Sequence, residues 1–396
     1  MLFEAVLSNK QHPEYGVATV PFPIPKEEYD HVIALLILLE IGDAVRRDCK
    51  VDEIRGDWPV LRQLEQTDVN VDELDYLAKR IDSFDQYEKT QFQGMAAKLG
   101  LHDIGKFIDL TFCCQESTVI TDFSDLEHLG KRHFMTMNGG GAVTAELEKL
   151  DGRSLAVELI DGNIGYVTPF GVVYPNDIEL RQVYDGHSFP PYWYDDFAIE
   201  VEIAGNSAPA AAGRQTWLYL PRSQNAIERA LLRAGINRFE EMHLIRMQGD
   251  IPDCLNERID LASASLDRLN ELAHTLGTID DAALANLEAA AAFAKPQGCE
   301  QLNRLAENVE LFSFAAGALT PYEYGEYLIQ KSGRYAYDEQ LKEFYDYERI
   351  GRTQMEQERW DFTDDGCVSY HGAVSMEELL TGSESERREL QRGGME

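Results

Sequence analysis

Two distant stretches of this chain keep one register, and that register limits the fold to something built twice. Asp72-Glu73-Leu74-Asp75-Tyr76-Leu77-Ala78 aligns with Asp267-Arg268-Leu269-Asn270-Glu271-Leu272-Ala273 at an offset of 195. The offset holds without gaps through Asp85/Asp280, Ala96/Ala291, Leu110/Leu305 and Gly130/Gly325. Upstream, Gly56-Asp57-Trp58-Pro59 pairs with Gly249-Asp250-Ile251-Pro252 at an offset of 193. Identity is low, about one residue in seven, but shared apolar positions in constant register point to duplication.

Each copy carries the same order of elements. Extended segments come first, Tyr15 to Phe22 in one copy and Ala198 to Ile203 with Thr216 to Leu220 in the other. Amphipathic helices follow, Lys26 to Ile41 and Gln224 to Ala234. Beyond the Gly-Asp-x-Pro turn, Val71, Leu74, Leu77, Ala78 and Ile81 form one helical stripe, with Asn70 as N-cap and Glu73 completing a capping box. The counterpart starts at Ser265, with Leu266, Leu269, Leu272, Ala273 and Leu276 as its stripe. The Ala-rich run Asp280 to Ala294 forms helix readily.

These patterns predict an α+β chain of several domains, with two similar modules that each combine a small sheet and a helical part. The expected boundaries are 1–150 for the N-terminal module, 151–196 for a connecting β segment rich in Pro and aromatics, 197–375 for the C-terminal module, and 376–396 for a flexible charged tail.

Charge narrows the function. Across 396 residues, 70 acidic against 36 basic side chains leave −34, while 44% apolar residues supply real cores. Such a surplus repels itself in the folded state and invites a reason beyond solubility. It disfavours direct nucleic-acid binding, which needs basic clusters to neutralise phosphate. The six cysteines show no CxxC spacing and read as reduced thiols of a cytoplasmic protein. No apolar run approaches a membrane span, and no secretory signal opens the chain.

Residues for catalysis are sparse. Leu101-His102-Asp103-Ile104-Gly105-Lys106 is similar to the His-Asp pair of HD-type metal phosphohydrolases, which need a further His and Asp. His31 with Asp109 or Asp122 are the nominees, but no spacing recommends them, and the second copy has Gln297 and Gly298 at the paired positions. The structural alternative is a turn between helices, with His102 partly exposed and Asp103 an N-cap. Met137-Asn138-Gly139-Gly140-Gly141 lacks the Lys-Ser/Thr of a phosphate loop, and Cys113-Cys114 has no adjacent positive charge to activate it. The expectation is a protein without enzymatic activity, metal or cofactor.

The carboxylates are spread along both copies. Residues 338–365 alone hold ten acidic and four basic side chains, interleaved with Tyr345, Tyr347 and Trp360. B-DNA carries about one negative charge per 1.7 Å, so 34 net charges match roughly 58 Å, or about 17 base pairs. A compact globule of this length is on the order of 55 Å across. The net charge therefore suffices to imitate a binding-site length of duplex if it lies on one face.

The C-terminal copy resembles the ArdA-type antirestriction proteins of conjugative plasmids and transposons. The resemblance rests on Leu269-Asn270-Glu271-Leu272-Ala273, Pro321-Tyr322-Glu323-Tyr324-Gly325-Glu326-Tyr327-Leu328 and Tyr345-Asp346-Tyr347-Glu348-Arg349-Ile350-Gly351-Arg352, with Phe362-Thr363-Asp364-Asp365-Gly366 and Tyr370-His371-Gly372. The first copy and centre, with Asp122-Phe123-Ser124-Asp125-Leu126, Val167-Thr168-Pro169-Phe170-Gly171 and Tyr184-Asp185-Gly186, are similar to a long, tandem form of that family. The resemblance implies an elongated protein that imitates bent DNA and blocks Type I restriction–modification enzymes stoichiometrically. It implies a homodimer or, in a tandem chain, an intramolecular pseudo-dimer. An acidic scaffold of a mobile element is the alternative. The expected mimic surface comprises Asp72, Glu73, Asp75, Asp82, Asp85, Glu88, Asp122, Asp125 and Glu127 in the first copy. In the second it comprises Asp267, Glu271, Asp280, Asp281, Glu323, Glu326, Asp338, Glu339, Glu343, Asp346 and Glu348.

Overall fold

A computed structural model describes residues 1–192, 197–205, 216–249, 251–357 and 359–382. The first repeat opens with β1 (Phe3–Asn9), β2 (Val17–Phe22), α1 (Tyr29–Leu38), β3 (Cys49–Gly56) and β4 (Asp68–Val69). Helices α2 (Val71–Asp82), α3 (Gln86–Leu99) and α4 (Ile104–Leu110) follow. It closes with β5 (Thr118–Ile120), α5 (Leu126–Met137), α6 (Thr144–Lys149), α7 (Gly152–Gly162), β6 (Tyr166–Thr168) and β7 (Gly171–Tyr174).

The second repeat runs β8 (Ile199–Gly205), β9 (Thr216–Leu220), α8 (Gln224–Arg233), β10 (Met242–Gln248) and α9 (Asp253–Asn256). Then come α10 (Leu266–Leu276), α11 (Asp281–Ala294), α12 (Gly298–Glu307), β11 (Phe312–Ala316) and α13 (Pro321–Gln330). The last elements are α14 (Tyr347–Gln357), β12 (Arg359–Thr363), β13 (Gly366–Tyr370) and α15 (Met376–Thr381). Helix plus small antiparallel sheets is the α+β class that the periodicities predict.

The offset of 195 carries α3 onto α11 and α7 onto α14 end to end, and the starts of β6 and β7 fall within β12 and on the start of β13. Sheet order repeats as well. Strands β5-β7-β6 correspond to β11-β13-β12, with the later-entering strand in the middle each time. The N-terminal sheets, β2-β1-β3-β4 and β10-β8-β9, both place the first strand of the repeat between the second and third. Two cores match in the same way: Ile120 and Leu129 of one occupy the register of Ala315 and Tyr324 of the other.

The capping logic of the sequence is realised. Asn70 accepts from the backbone of Asp72 and Glu73 while Glu73 returns to the backbone of Asn70, and Asp85 and Glu88 make a second such box. Ser265 and Asp280 cap α10 and α11 through Arg268 N–H and Ala283 N–H.

Two boundaries differ from expectation. The break at 150/151 falls inside a packed unit, because α7 lies against α5, and β7 pairs with β5 through Thr118↔Tyr174, Val119↔Val173 and Ile120↔Val172. The segment 151–196 is therefore not a connector over this part: its strands complete a sheet begun earlier. At the other end, the expected tail begins as α15, capped by Ser375, with Leu379 and Leu380 buried. Residues 383–396 of that tail lie outside the described residues.

The chain divides into two compact units. One comprises Met1–Tyr194, Ala204–Trp217 and Ser223–Met242, and the other Asp195–Ile203, Leu218–Arg222 and His243–Glu396. Helix α8 thus belongs to the first unit although it is an element of the second repeat.

Gly130 and Gly325, paired in the repeat, have one purpose. Helices α5 and α7 cross so closely that a Cβ on Gly130 would be driven into the carbonyl oxygen of Gly152. In the second unit a Cβ on Gly325 would strike the carbonyl oxygen of Tyr347 where α13 crosses α14. Backbone cannot yield as a side-chain tip does, so Gly325→Ala is expected to destabilise its unit by roughly 2–4 kcal/mol. Gly141→Ala, at an exposed glycine with no atom near its Cβ position, should stay within about 0.5 kcal/mol. Denaturant unfolding of both variants checks the contrast.

Candidate functional site

The carboxylates nominated from sequence separate into three groups. Asp72, Glu73 and Asp75 are buried, so they are removed from any acidic surface. Glu88, Glu323, Glu326 and Glu348 are half-buried. Asp82, Asp85, Asp122, Asp125, Glu127, Asp267, Glu271, Asp280, Asp281, Asp338, Glu339, Glu343 and Asp346 are exposed.

The buried three have cationic or N–H partners that arrive from far along the chain. Arg229 of α8 is only 7% exposed and sets Nη2 and Nε at 2.7 and 3.2 Å from Asp72 Oδ2. Its other donors reach the carbonyls of Gly42 (2.6 Å) and Asp43 (3.3 Å), and Tyr29 donates to Asp72 Oδ1 at 2.6 Å. Four residues on, Arg233 is 4% exposed and donates to Ala44 O, Asn70 Oδ1 and His187 O, each at 3.0 Å. It also donates to the Tyr184 hydroxyl and lies 4.2 Å over the Phe189 ring. Tyr184 in turn donates to Glu73 Oε1 at 2.9 Å, and Arg47 grips both oxygens of Glu73 at 2.8 and 2.9 Å.

This cluster is a clasp within the first unit. A buried carboxylate is tolerable only when paired and hydrogen-bonded, and here each is. Each guanidinium nitrogen of Arg229 and Arg233 donates to a backbone carbonyl, a carboxylate, an amide or a phenol, which suits the planar fork of arginine. Burial pushes the Tyr184 phenol up, so it stays a hydrogen-bond donor to Glu73.

Sequence reading missed Arg229 and Arg233, because the amphipathic pattern of α8 gives no signal for their burial. They stand at i and i+4 on the side of α8 opposite Ile227 and Leu231, the face that such a helix ordinarily turns to solvent. Tyr184, read as part of a family signature, closes the same cluster.

Asp75 differs in kind. Its Oδ1 accepts from Ile24 N–H at 2.7 Å, and Lys79 lies 3.3 Å from Oδ2. The second repeat makes the equivalent bond with a neutral side chain, Asn270 Oδ1 accepting from Arg222 N–H at 2.8 Å.

Most exposed and half-buried nominees are also held in place. Asp85, Asp125, Asp280 and Asp338 are N-caps, each accepting from backbone N–H groups of the turn it starts. Hydrogen bonds from the backbone and hydroxyl of Ser124 hold the Asp122 carboxyl below its ordinary value. A bond from Lys131, aided by Arg153 N–H, does the same for Glu127. Glu323 is held down by the N–H of Leu319 and the hydroxyl of Thr320. Glu271 pairs with Arg268 at 2.7 Å and Glu348 with Arg352 at 2.6 Å. Asp267, Asp281 and Glu343 make no hydrogen bond or ion pair among the described residues.

The His-Asp pair serves structure. Asp103 caps α4 through Lys106 N–H and pairs with Arg47 at 2.7 Å, and His102 Nδ1 lies 2.9 Å from Gln63 O. Asp109, a nominated third ligand, accepts the backbone N–H groups of Val183 and Tyr184, each at 2.8 Å. Among the described residues no three or more His, Cys, Asp or Glu side chains are arranged to hold a metal. No described helix is long and apolar enough to cross a membrane. Cys113 and Cys114 are buried, which pushes both thiols up, Cys113 to about 11.

Two variants test the clasp. Arg229→Met leaves Asp72 buried without its cation and is expected to cost about 3–5 kcal/mol in denaturant unfolding. Asp75→Asn should behave differently. Burial raises the Asp75 carboxyl above its ordinary value of 3.8, against the pull of Lys79 and Ile24 N–H. A raised carboxyl favours the native state at low pH, and that contribution is lost as pH climbs through the raised value. Asp75→Asn keeps the bond to Ile24 and escapes the loss, so its stability relative to wild type should rise between about pH 4 and 7. A steady fall over that range would show that the Lys79 pair dominates instead.

Comparison with known sequences adds one finding. The sequence model of the family described as antirestriction protein (ArdA) matches residues 212–369, from just before β9 into β13. No curated protein matches the chain.

Proposed function

We propose, from the premise that residues 212–369 make this an ArdA-type antirestriction protein, that the chain inhibits restriction–modification enzymes by standing in for DNA. Its exposed carboxylates take the places of phosphates in the DNA groove of a Type I enzyme. It acts stoichiometrically, as a competitor rather than a catalyst, without cofactor or metal, and meets its target in the cytoplasm. Two repeats in one chain supply as an intramolecular pseudo-dimer what two short chains supply as a dimer.

The family match carries the reading, and the carboxylate geometry supports it. A mimic must present negative charge at fixed positions, since ordering loose side chains on binding costs affinity. An Asp that caps a helix is already ordered: one oxygen accepts backbone N–H groups while the other stays available to a cationic partner. Asp85, Asp125, Asp280 and Asp338 are such charges, and Asp267 and Glu271 lie one turn apart on α10.

Inhibition of a purified Type I enzyme by the full chain tests the reading. Restriction should fall to zero near one chain per binding site and recover as salt rises. Exposed charges contribute about 0.2–1 kcal/mol each, so Asp267→Asn alone should change affinity by less than about fivefold. Neutralising Asp267, Glu271, Asp280 and Asp281 together to Asn or Gln should weaken binding by about fivefold or more. Asn keeps the cap at position 280. Full restriction at several-fold excess of wild type, or a quadruple variant as potent as wild type, contradicts the proposal.

A further inference from the structure

From Val32 to Leu38 helix α1 is apolar around its circumference, without a polar side chain. Val32, Ile33 and Leu36 face the core and are buried. Ala34, Leu35, Ile37 and Leu38 face outward, with Leu38 77%, Ile37 61% and Leu35 40% exposed. A helix on a protein surface ordinarily places polar residues there, so a helix apolar on every side marks a face that something covers. The rim is acidic, with Glu27, Glu28, Asp30 and Glu40 all exposed, joined by Lys26 and His31.

The repeat shows what this face does. Helices α1 and α8 coincide end to end at an offset of 195, which places Ala34 and Leu38 at the positions of Arg229 and Arg233. In α8 those positions are buried in the clasp, against the carbonyls of residues 42–44 and the N-terminus of α2. The same helical face is therefore a docking face in one copy, and in the other it stands open with aliphatic side chains in place of guanidiniums.

We infer that the outer face of α1 docks on the target enzyme, on a surface where apolar side chains are framed by Lys and Arg. The inference rests on the proposed antirestriction function. Charge complementarity selects this occupant. A second copy would press acidic rim against acidic rim on two chains of net charge −34, whereas the cationic surface of a DNA-handling protein matches both rim and strip. Duplex DNA offers no aliphatic strip, so this contact is not imitation. It gives the inhibitor an interaction that DNA lacks and that salt does not screen.

Salt dependence separates the two kinds of contact. Affinity of the full chain for a purified Type I enzyme that it inhibits is measured from about 0.05 to 0.5 M NaCl. The double variant Leu35→Gln/Leu38→Gln alters exposed positions only, and its thermal unfolding should match wild type. Its affinity should drop roughly tenfold at every salt concentration, with the slope of log affinity against log salt unchanged. Neutralising the four carboxylates of α10 and α11 should instead flatten that slope. A double variant that binds as wild type does at all salts overturns the inference, as does a change in slope alone. A wild-type dimer in sedimentation equilibrium that the double variant dissolves assigns the face to a second copy and also overturns it. If wild type inhibits no Type I enzyme, the functional reading itself falls, a result distinct from loss of the α1 contact alone.

Discussion

Two arginines one turn apart on α8 hold the first unit in its observed form. Arg229 and Arg233 reach Asp72, Asn70 and three successive carbonyls, those of Gly42, Asp43 and Ala44. Without them the N-terminus of α2 would bury carboxylates against other carboxylates and unsatisfied carbonyl groups. With them, an element of the second repeat becomes part of the first unit, which is why the compact units do not follow the repeat boundary. Breaking such a cluster costs far more than never having built it, because the remaining charge stays buried.

That constraint divides the acid of this chain into two classes. Some carboxylates are internal fixtures whose negative charge is spent on Arg229, Arg47 and Lys79. Others start helices and point one oxygen outward. The two repeats share a backbone but not these fixtures, since Asp72, Glu73 and Asp75 correspond to Asp267, Arg268 and Asn270, and the second repeat instead buries Glu200 and Glu202 of β8. Asp267 is exposed where Asp72 is buried, so equivalent positions of one fold serve core pairing in one copy and surface charge in the other.

Much of the architecture was legible in the sequence. The register of 195 located paired helices, the stripes Val71 to Ile81 and Leu266 to Leu276 were core faces, and Asn70 and Asp103 were caps. The fate of Asp72, Glu73 and Asp75 was not legible. Acidic residues in the first turn of a helix are favoured by the helix dipole whether exposed or buried, and the deciding partner of Asp72 comes from 157 residues downstream. The segment 151–196 misled for a related reason. Its prolines and aromatics look like a connector, but Tyr184 and Phe189 pack onto the clasp and Tyr76 donates to Pro190 O at 2.8 Å. Composition describes a segment, whereas its place depends on what it meets.

Imitation of DNA makes one demand that no other use of acidic surface makes: inhibitor and duplex must exclude each other. The most direct test titrates the chain into a Type I enzyme already bound to a labelled duplex carrying its recognition site. Mimicry predicts full displacement, with the apparent dissociation constant of the chain rising in proportion to duplex concentration. A ternary complex of enzyme, duplex and chain, or an apparent constant indifferent to duplex, would contradict it.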